Sequence, residues 1–142
     1  MLQIEGMLMS NLDIDQKNSL YFEYEEGKQN TYTYVFKTAS TGNTSAWNGI
    51  IGKRVRDAGH GYLTYNFRGQ INSSFDESIN LTSEIIISDL LKLIDHLNLK
   101  NIILCGLSIG GLYAAIASLE EVDAKGLILI NTLRKPSSRL DL

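Results

Sequence analysis

The 142-residue chain is poor in the residues that most often carry metal or redox chemistry, with one cysteine and two histidines. A lone Cys105 excludes a disulfide framework and any zinc site built on cysteines. Only His60 and His96 are available for imidazole chemistry. A basic surplus is also missing: 13 Lys and Arg stand against 16 Asp and Glu, a net charge of −3. That balance argues against a nucleic-acid partner, which an electropositive surface would have to attract. Long apolar runs are absent too, the run at Gly126–Ile130 being far short of the roughly 20 residues a membrane span needs. The N-terminal MLQIEGMLMS has no basic stretch ahead of an apolar one. No membrane partner and a cytoplasmic location are therefore expected. Sequons at Asn43, Asn72 and Asn80 carry no weight without an export signal.

What is present is ordinary for a globular domain: 44% hydrophobic and 20% charged residues. The length suits one domain over residues 1–142, large enough to bury a core. The N-terminal third reads as strands, with a short one within residues 2–14. Leu20–Glu25 and Thr31–Lys37 flank Gly-Lys-Gln-Asn, which reads as a hairpin connection. Trp47, Ile50, Ile51, Val55 and Ala58 then fall on one face of a helix that Gly59 should stop. Tyr62–Phe67 reads as a strand. Leu81–Leu97 reads as an amphipathic helix, Ile86, Leu90, Leu93, Ile94 and Leu97 inward, with Asn80 or Thr82 as its cap. Asn101–Cys105 and Leu127–Ile130 read as buried strands around an Ala-rich helix at Ile109–Leu119. Apolar strands alternating with helices give an α/β fold: a mostly parallel sheet, an N-terminal antiparallel hairpin, and helices on both faces.

The segment that carries chemistry is Gly106-Leu107-Ser108-Ile109-Gly110, a G-x-S-x-G between an apolar strand and a helix. That is the context a nucleophile elbow requires. The turn is so tight that residues two places either side of the nucleophile must be small. It lifts the hydroxyl above the C-terminal edge of the strand and aims the Ile109 amide, with the helix dipole, at a developing oxyanion. A dinucleotide-binding turn aligned here would need glycine where Ser108 stands, and no G-K-[ST] phosphate loop is present. A nucleotide-binding α/β domain is thus the weaker alternative.

From about residue 31 onward the chain resembles the N-terminal part of an α/β-hydrolase fold protein, through that family's sixth strand. Gly-Leu-Ser-Ile-Gly-Gly is similar to the family elbow. The strand ending in Asn66-Phe67-Arg68-Gly69-Gln70 is similar to its D-x-R-G-x-G, with Asn66 where Asp is usual. Gly126-Leu-Ile-Leu-Ile-Asn-Thr is similar to the strand after the elbow helix. Thr41-Gly-Asn-Thr-Ser-Ala-Trp47 is similar to the loop after the third strand, whose usual His-Gly opening is replaced by Ala39-Ser40.

The resemblance implies a serine hydrolase of a carboxylic ester or related bond in a small molecule. Ser108 would be the nucleophile, with oxyanion amides from Ile109 and, to within one residue, Thr41. No metal or cofactor is implied. The family places its acid and His after its seventh and eighth strands, so the domain is expected to be incomplete at its C-terminus and the isolated chain inactive. An acid just after the sixth strand is not available, because that position is Asn131. His60 precedes a strand, at the opposite edge of the sheet from Ser108, roughly 17 Å away. His96 lies near the end of a helix leading away from the elbow. Asp123 and Asp141 read as solvated, as does the basic tail of Arg134, Lys135 and Arg139. A non-catalytic fold acting as a binding module is the remaining alternative. Without the following strands Leu127–Ile130 is an uncharged edge, through which self-association is expected.

Overall fold

The computed structural model describes residues 2–4, 6–39 and 41–132. Ser40, Asp141 and the basic tail lie outside the described residues. The strands are β1 (Leu2–Ile4), β2 (Met7–Asp13), β3 (Ser19–Glu25), β4 (Thr33–Lys37), β5 (Gly61–Tyr65), β6 (Ile102–Leu107) and β7 (Gly126–Ile130). The helices are α1 (Ser45–Asn48), α2 (Ile50–Asp57), α3 (Ser83–His96) and α4 (Ile109–Glu120). The sheet order is β1-β2-β3-β5-β4-β6-β7. β1, β2, β3 and β5 are joined by antiparallel ladders, and β5, β4, β6 and β7 by parallel ones.

The α/β sheet with an antiparallel N-terminus is as expected, but its hairpin lies elsewhere. β3 does not pair with β4, because β5 stands between them and takes a ladder from each. The antiparallel hairpins are instead β1–β2, turned at Gly6 with φ +87°, and β2–β3. Residues 2–14 thus hold two strands.

Alternation along β4 sorts the core. Val35 faces the large cluster under α3 and α4 with Leu63, Leu90, Leu93, Leu104 and Ala114. Phe36 faces a smaller cluster under the other helices, with Trp47, Tyr62 and Cys105. The α3 face is as read, and Thr82 caps it by accepting from the Ile85 N–H. Each fully buried leucine there is worth about 2 kcal/mol.

The helix after β4 differs from expectation. Gly49 breaks it into α1 and α2, and Ile50 is 77% exposed. The buried contacts come from Trp47 and Gly52, whose Cα lies against the Tyr62 ring where a side chain would not fit. Gly59 does stop α2, with φ +85° and its N–H on the Arg56 carbonyl. β7 is not the buried strand expected either. Among the described residues it is the last strand of the sheet, the uncharged edge that was also expected, and Leu127, Ile128, Leu129 and Ile130 are all at least 36% exposed.

Candidate active site

β6 and α4 meet at Ser108, which has φ 56° and ψ −123°. That backbone region is costly for any residue with a Cβ, so the surrounding structure must hold it in place. Three glycines make this feasible. A Cβ on Gly106 would fall against Gly111 Cα, with Gly111 N at 2.5 Å and Gly110 C at 2.6 Å. One on Gly110 would strike the Thr38 carbonyl and lie 2.7 Å from the Lys37 carbonyl oxygen. One on Gly111 would strike the Thr132 hydroxyl. The elbow is therefore wedged between the loops that follow β4 and β7, and the Ser108 N–H donates to the Ile130 carbonyl at 2.9 Å.

Ser108 is partly exposed, and its side chain caps no N–H of α4. Ile109 is the first residue of α4, so its amide is among the four that an α-helix leaves unpaired. Thr41 is an exposed turn residue two places beyond Ala39, in the loop that abuts Gly110. Relief of the strained φ gives a direct prediction. Ser108→Gly should raise stability by about 1 kcal/mol in urea unfolding, whereas Ser108→Ala, which keeps the Cβ, should not.

The loop after β5 is fixed through Asn66. Its fully buried amide accepts from the Thr44 N–H at 2.9 Å and donates to the Ile71 carbonyl at 2.7 Å. An ionised aspartate in this place could accept but not donate, so the Asn suits a two-way tie between neutral backbone groups. Gln70 links this loop to the one after β4, its Nε2 donating to the Ala39 carbonyl at 3.3 Å.

Neither imidazole reaches the elbow. His60 directly precedes Gly61, which pairs with Thr33 at the start of β4, whereas Gly106 pairs with Lys37 at its end. The strand between spans about 13 Å. His60 packs against Tyr32 and Tyr34 and accepts from the Tyr32 N–H at 3.4 Å. His96 rests edge-on against Phe22 of β3, three strands across the sheet from β6, about 14 Å in strand spacings. Cys105 is buried, which pushes its thiol up to about 12 and leaves it a packing residue.

Two charged groups escaped the sequence reading. Asp89, facing inward from α3, is 3% exposed and receives Arg68 Nε at 2.8 Å and Nη2 at 2.6 Å. The Asp89 hydrogen bonds hold the Arg68 guanidinium above its ordinary value. Lys37 is fully buried at the end of β4. Its place on the same face as Val35 was readable from strand alternation, which assigns it to the core side.

A family model for the alpha/beta hydrolase fold matches residues 38–142. The chain belongs to the α/β-hydrolase fold family. Solved structures agree with this membership. A structure from a study of carboxylesterases of the thaumarchaeon Nitrososphaera gargenis is 26% identical with a TM-score of 0.76, covering 92% of this chain and 48% of that one. Mouse alpha/beta hydrolase domain-containing protein 10 is 26% identical with a TM-score of 0.67, covering 88% of this chain and 50% of that one. A thioesterase domain from the curacin biosynthetic pathway shares the fold at 21% identity and a TM-score of 0.75, covering 94% of this chain and 49% of that one. The chain thus spans about half the length of the solved hydrolases it matches. No curated protein sequence matches it. Among the described residues, no helix of this hydrolase-fold chain is long and apolar enough to cross a membrane, and no group of three His, Cys, Asp or Glu side chains is placed to hold a metal ion.

Proposed function

We propose that the chain carries the nucleophile of a serine hydrolase acting on a small carboxylic ester, thioester or related acyl compound. The observation that carries the reading is Ser108 itself: a non-glycine residue at φ 56°, opening α4 between glycines that have no room for a side chain. Strain of this kind persists where the position of a side chain matters. The carboxylesterase and thioesterase likenesses support the acyl class of substrate.

In this reading Ser108 Oγ attacks the carbonyl carbon, and the negative charge that forms on the carbonyl oxygen is met by the Ile109 and Thr41 amides. The hydroxyl proton needs a base, and His60 and His96 both lie far from it. The 142-residue chain is therefore expected to hydrolyse p-nitrophenyl acetate little faster than its Ser108→Ala variant, since losing a triad member costs several orders of magnitude in rate. Imidazole added to the buffer offers a diffusible base. It should raise the rate at which a fluorophosphonate labels Ser108, read by peptide mass spectrometry, with no labelling in Ser108→Ala. Labelling confined to other residues, or none at any imidazole concentration, would remove Ser108 as the nucleophile.

A further inference from the structure

Lys37 is the one fully buried cation among the described residues, and its Nζ has no hydrogen-bond partner there. It lies instead among three rings, 5.2 Å from the centroid of Phe67, 5.4 Å from Tyr113 and 5.5 Å from Tyr65. These distances are those of a cation facing aromatic quadrupoles. The rings come from separate elements: Tyr65 ends β5, Phe67 follows it, and Tyr113 lies in the second turn of α4. Lys37 also touches the elbow through its main chain. It pairs with Gly106 in the β4–β6 ladder, and its carbonyl oxygen lies against Gly110. The residue therefore grips the elbow on both sides of Ser108, through Gly106 before it and through Gly110 and Tyr113 after it.

The charged and titratable groups facing this amine are few. Asp89 of α3 attracts it, but both carboxylate oxygens are already held by Arg68. Among the described residues, Tyr65 and Tyr113 also face it. Burial holds the Tyr65 phenol far above its ordinary range, and its hydroxyl is likewise unpartnered. Burial also lowers the Lys37 amine from 10.5 to about 7, partly offset by the pull of Asp89.

We propose that Lys37 is a positioning residue for Ser108: as an ammonium it draws Tyr65, Phe67 and Tyr113 around itself and clamps α4 to β4, and as a neutral amine it releases that hold. The role rests on the reading of Ser108 as nucleophile, whereas the coupling between Lys37 and the elbow does not. Ring attraction exists only for the charged form, so proton loss removes the force that seats Tyr113. The clamped elbow is thus the protonated one, and Ser108 reactivity due to the clamp falls as pH rises through neutrality.

The test is an NMR titration of the whole 142-residue chain from pH 5 to 9. The Lys37 side-chain ¹³Cε and the Ile109 and Tyr113 amides should share one midpoint near 7. In Lys37→Met the inflection of the two amides should vanish. Lys37→Arg, which stays charged throughout, should hold the amides at their low-pH positions. Fluorophosphonate labelling, divided at each pH by the fraction of added imidazole that is neutral, should show that inflection in the wild-type chain and lose it in Lys37→Met. Amides that ignore the Lys37 titration in the wild-type chain, which needs no variant to fold, would overturn the coupling. An Ile109 inflection unchanged in Lys37→Met would do the same. Coupled amides without any labelling of Ser108 would instead defeat the nucleophile and leave the clamp standing.

A second readout comes from stability. The folded-state value of about 7 lies below the 10.5 of an unperturbed lysine, so the unfolded chain binds the extra proton between those limits. Wild-type stability should rise with pH across that window, because proton loss removes a burial cost larger than the ring attraction it forfeits, and Lys37→Met should lose that part of the slope.

Discussion

Gly106→Ala is expected to lower the melting temperature by about 10 °C, the equivalent of about 3 kcal/mol in a domain of this size. The new Cβ would fall against the Gly111 backbone, with Gly111 N at 2.5 Å. Backbone cannot swing aside as a flexible side chain can, so either β6 or the first turn of α4 must shift. A shift there also moves Ser108, and fluorophosphonate labelling with imidazole should disappear together with the stability. Gly126→Ala is the matched control, because its Cβ would meet only Ile103 side-chain atoms at 3.6 Å or beyond. It should stay within about 1 kcal/mol of the wild type. Thermal unfolding followed by far-UV circular dichroism separates the two. A Gly106→Ala chain that melts with the wild type would mean that the β6–α4 corner is looser than its geometry indicates.

Asp89→Leu should be the most damaging of the charge deletions, at about 3–5 kcal/mol in urea unfolding. It leaves the Arg68 guanidinium with 6% side-chain exposure and no carboxylate to receive Nε and Nη2. It also removes the carboxylate that attracts Lys37. Arg68→Met alone leaves Asp89 buried without its fork of donors, and should cost a similar amount. The double variant Arg68→Met/Asp89→Leu should recover most of the loss, because a buried ion pair is worth little more than a well-packed apolar pair. Additive losses in the double variant would show that each side chain acts through other partners.

The parts of this fold that were legible in the sequence are those whose signal is local. β4, β5 and β6 announce themselves as short apolar runs, α3 by its periodicity and Thr82 cap, and the elbow by glycines at fixed offsets from Ser108. The pairing of β3 was not legible, because neighbours in sequence usually pair in space and nothing in Gly27–Asn30 reveals that β5 will come between them. The helix after β4 was misread because Trp47, Ile50, Ile51 and Val55 fit one helical face on paper. Gly49 interrupts that register and turns Ile50 outward. Asp89 gave no signal, being one polar residue inside an amphipathic helix whose partner lies 21 residues earlier. Asn66 was read as a departure from D-x-R-G, and its paired hydrogen bonds to Thr44 and Ile71 supply the reason.

The strand order also bears on how the protein emerges from the ribosome. The β1–β2 and β2–β3 ladders need nothing made later, although the other edge of β3 awaits β5. β4 is different, because both of its partners, β5 and β6, follow it in the chain. When β4 has been synthesised its two edges are bare, and the first closes only once Gly61–Tyr65 has been made. The second stays open until Ile102–Leu107 appears. For that interval a nascent chain displays Val35 and Phe36 on a strand with an unsatisfied edge, the arrangement most prone to pair with another copy. An interior strand of the finished sheet is thus its most vulnerable element during synthesis, and the stretch of translation from Lys37 to Leu107 is where a chaperone would have most to protect.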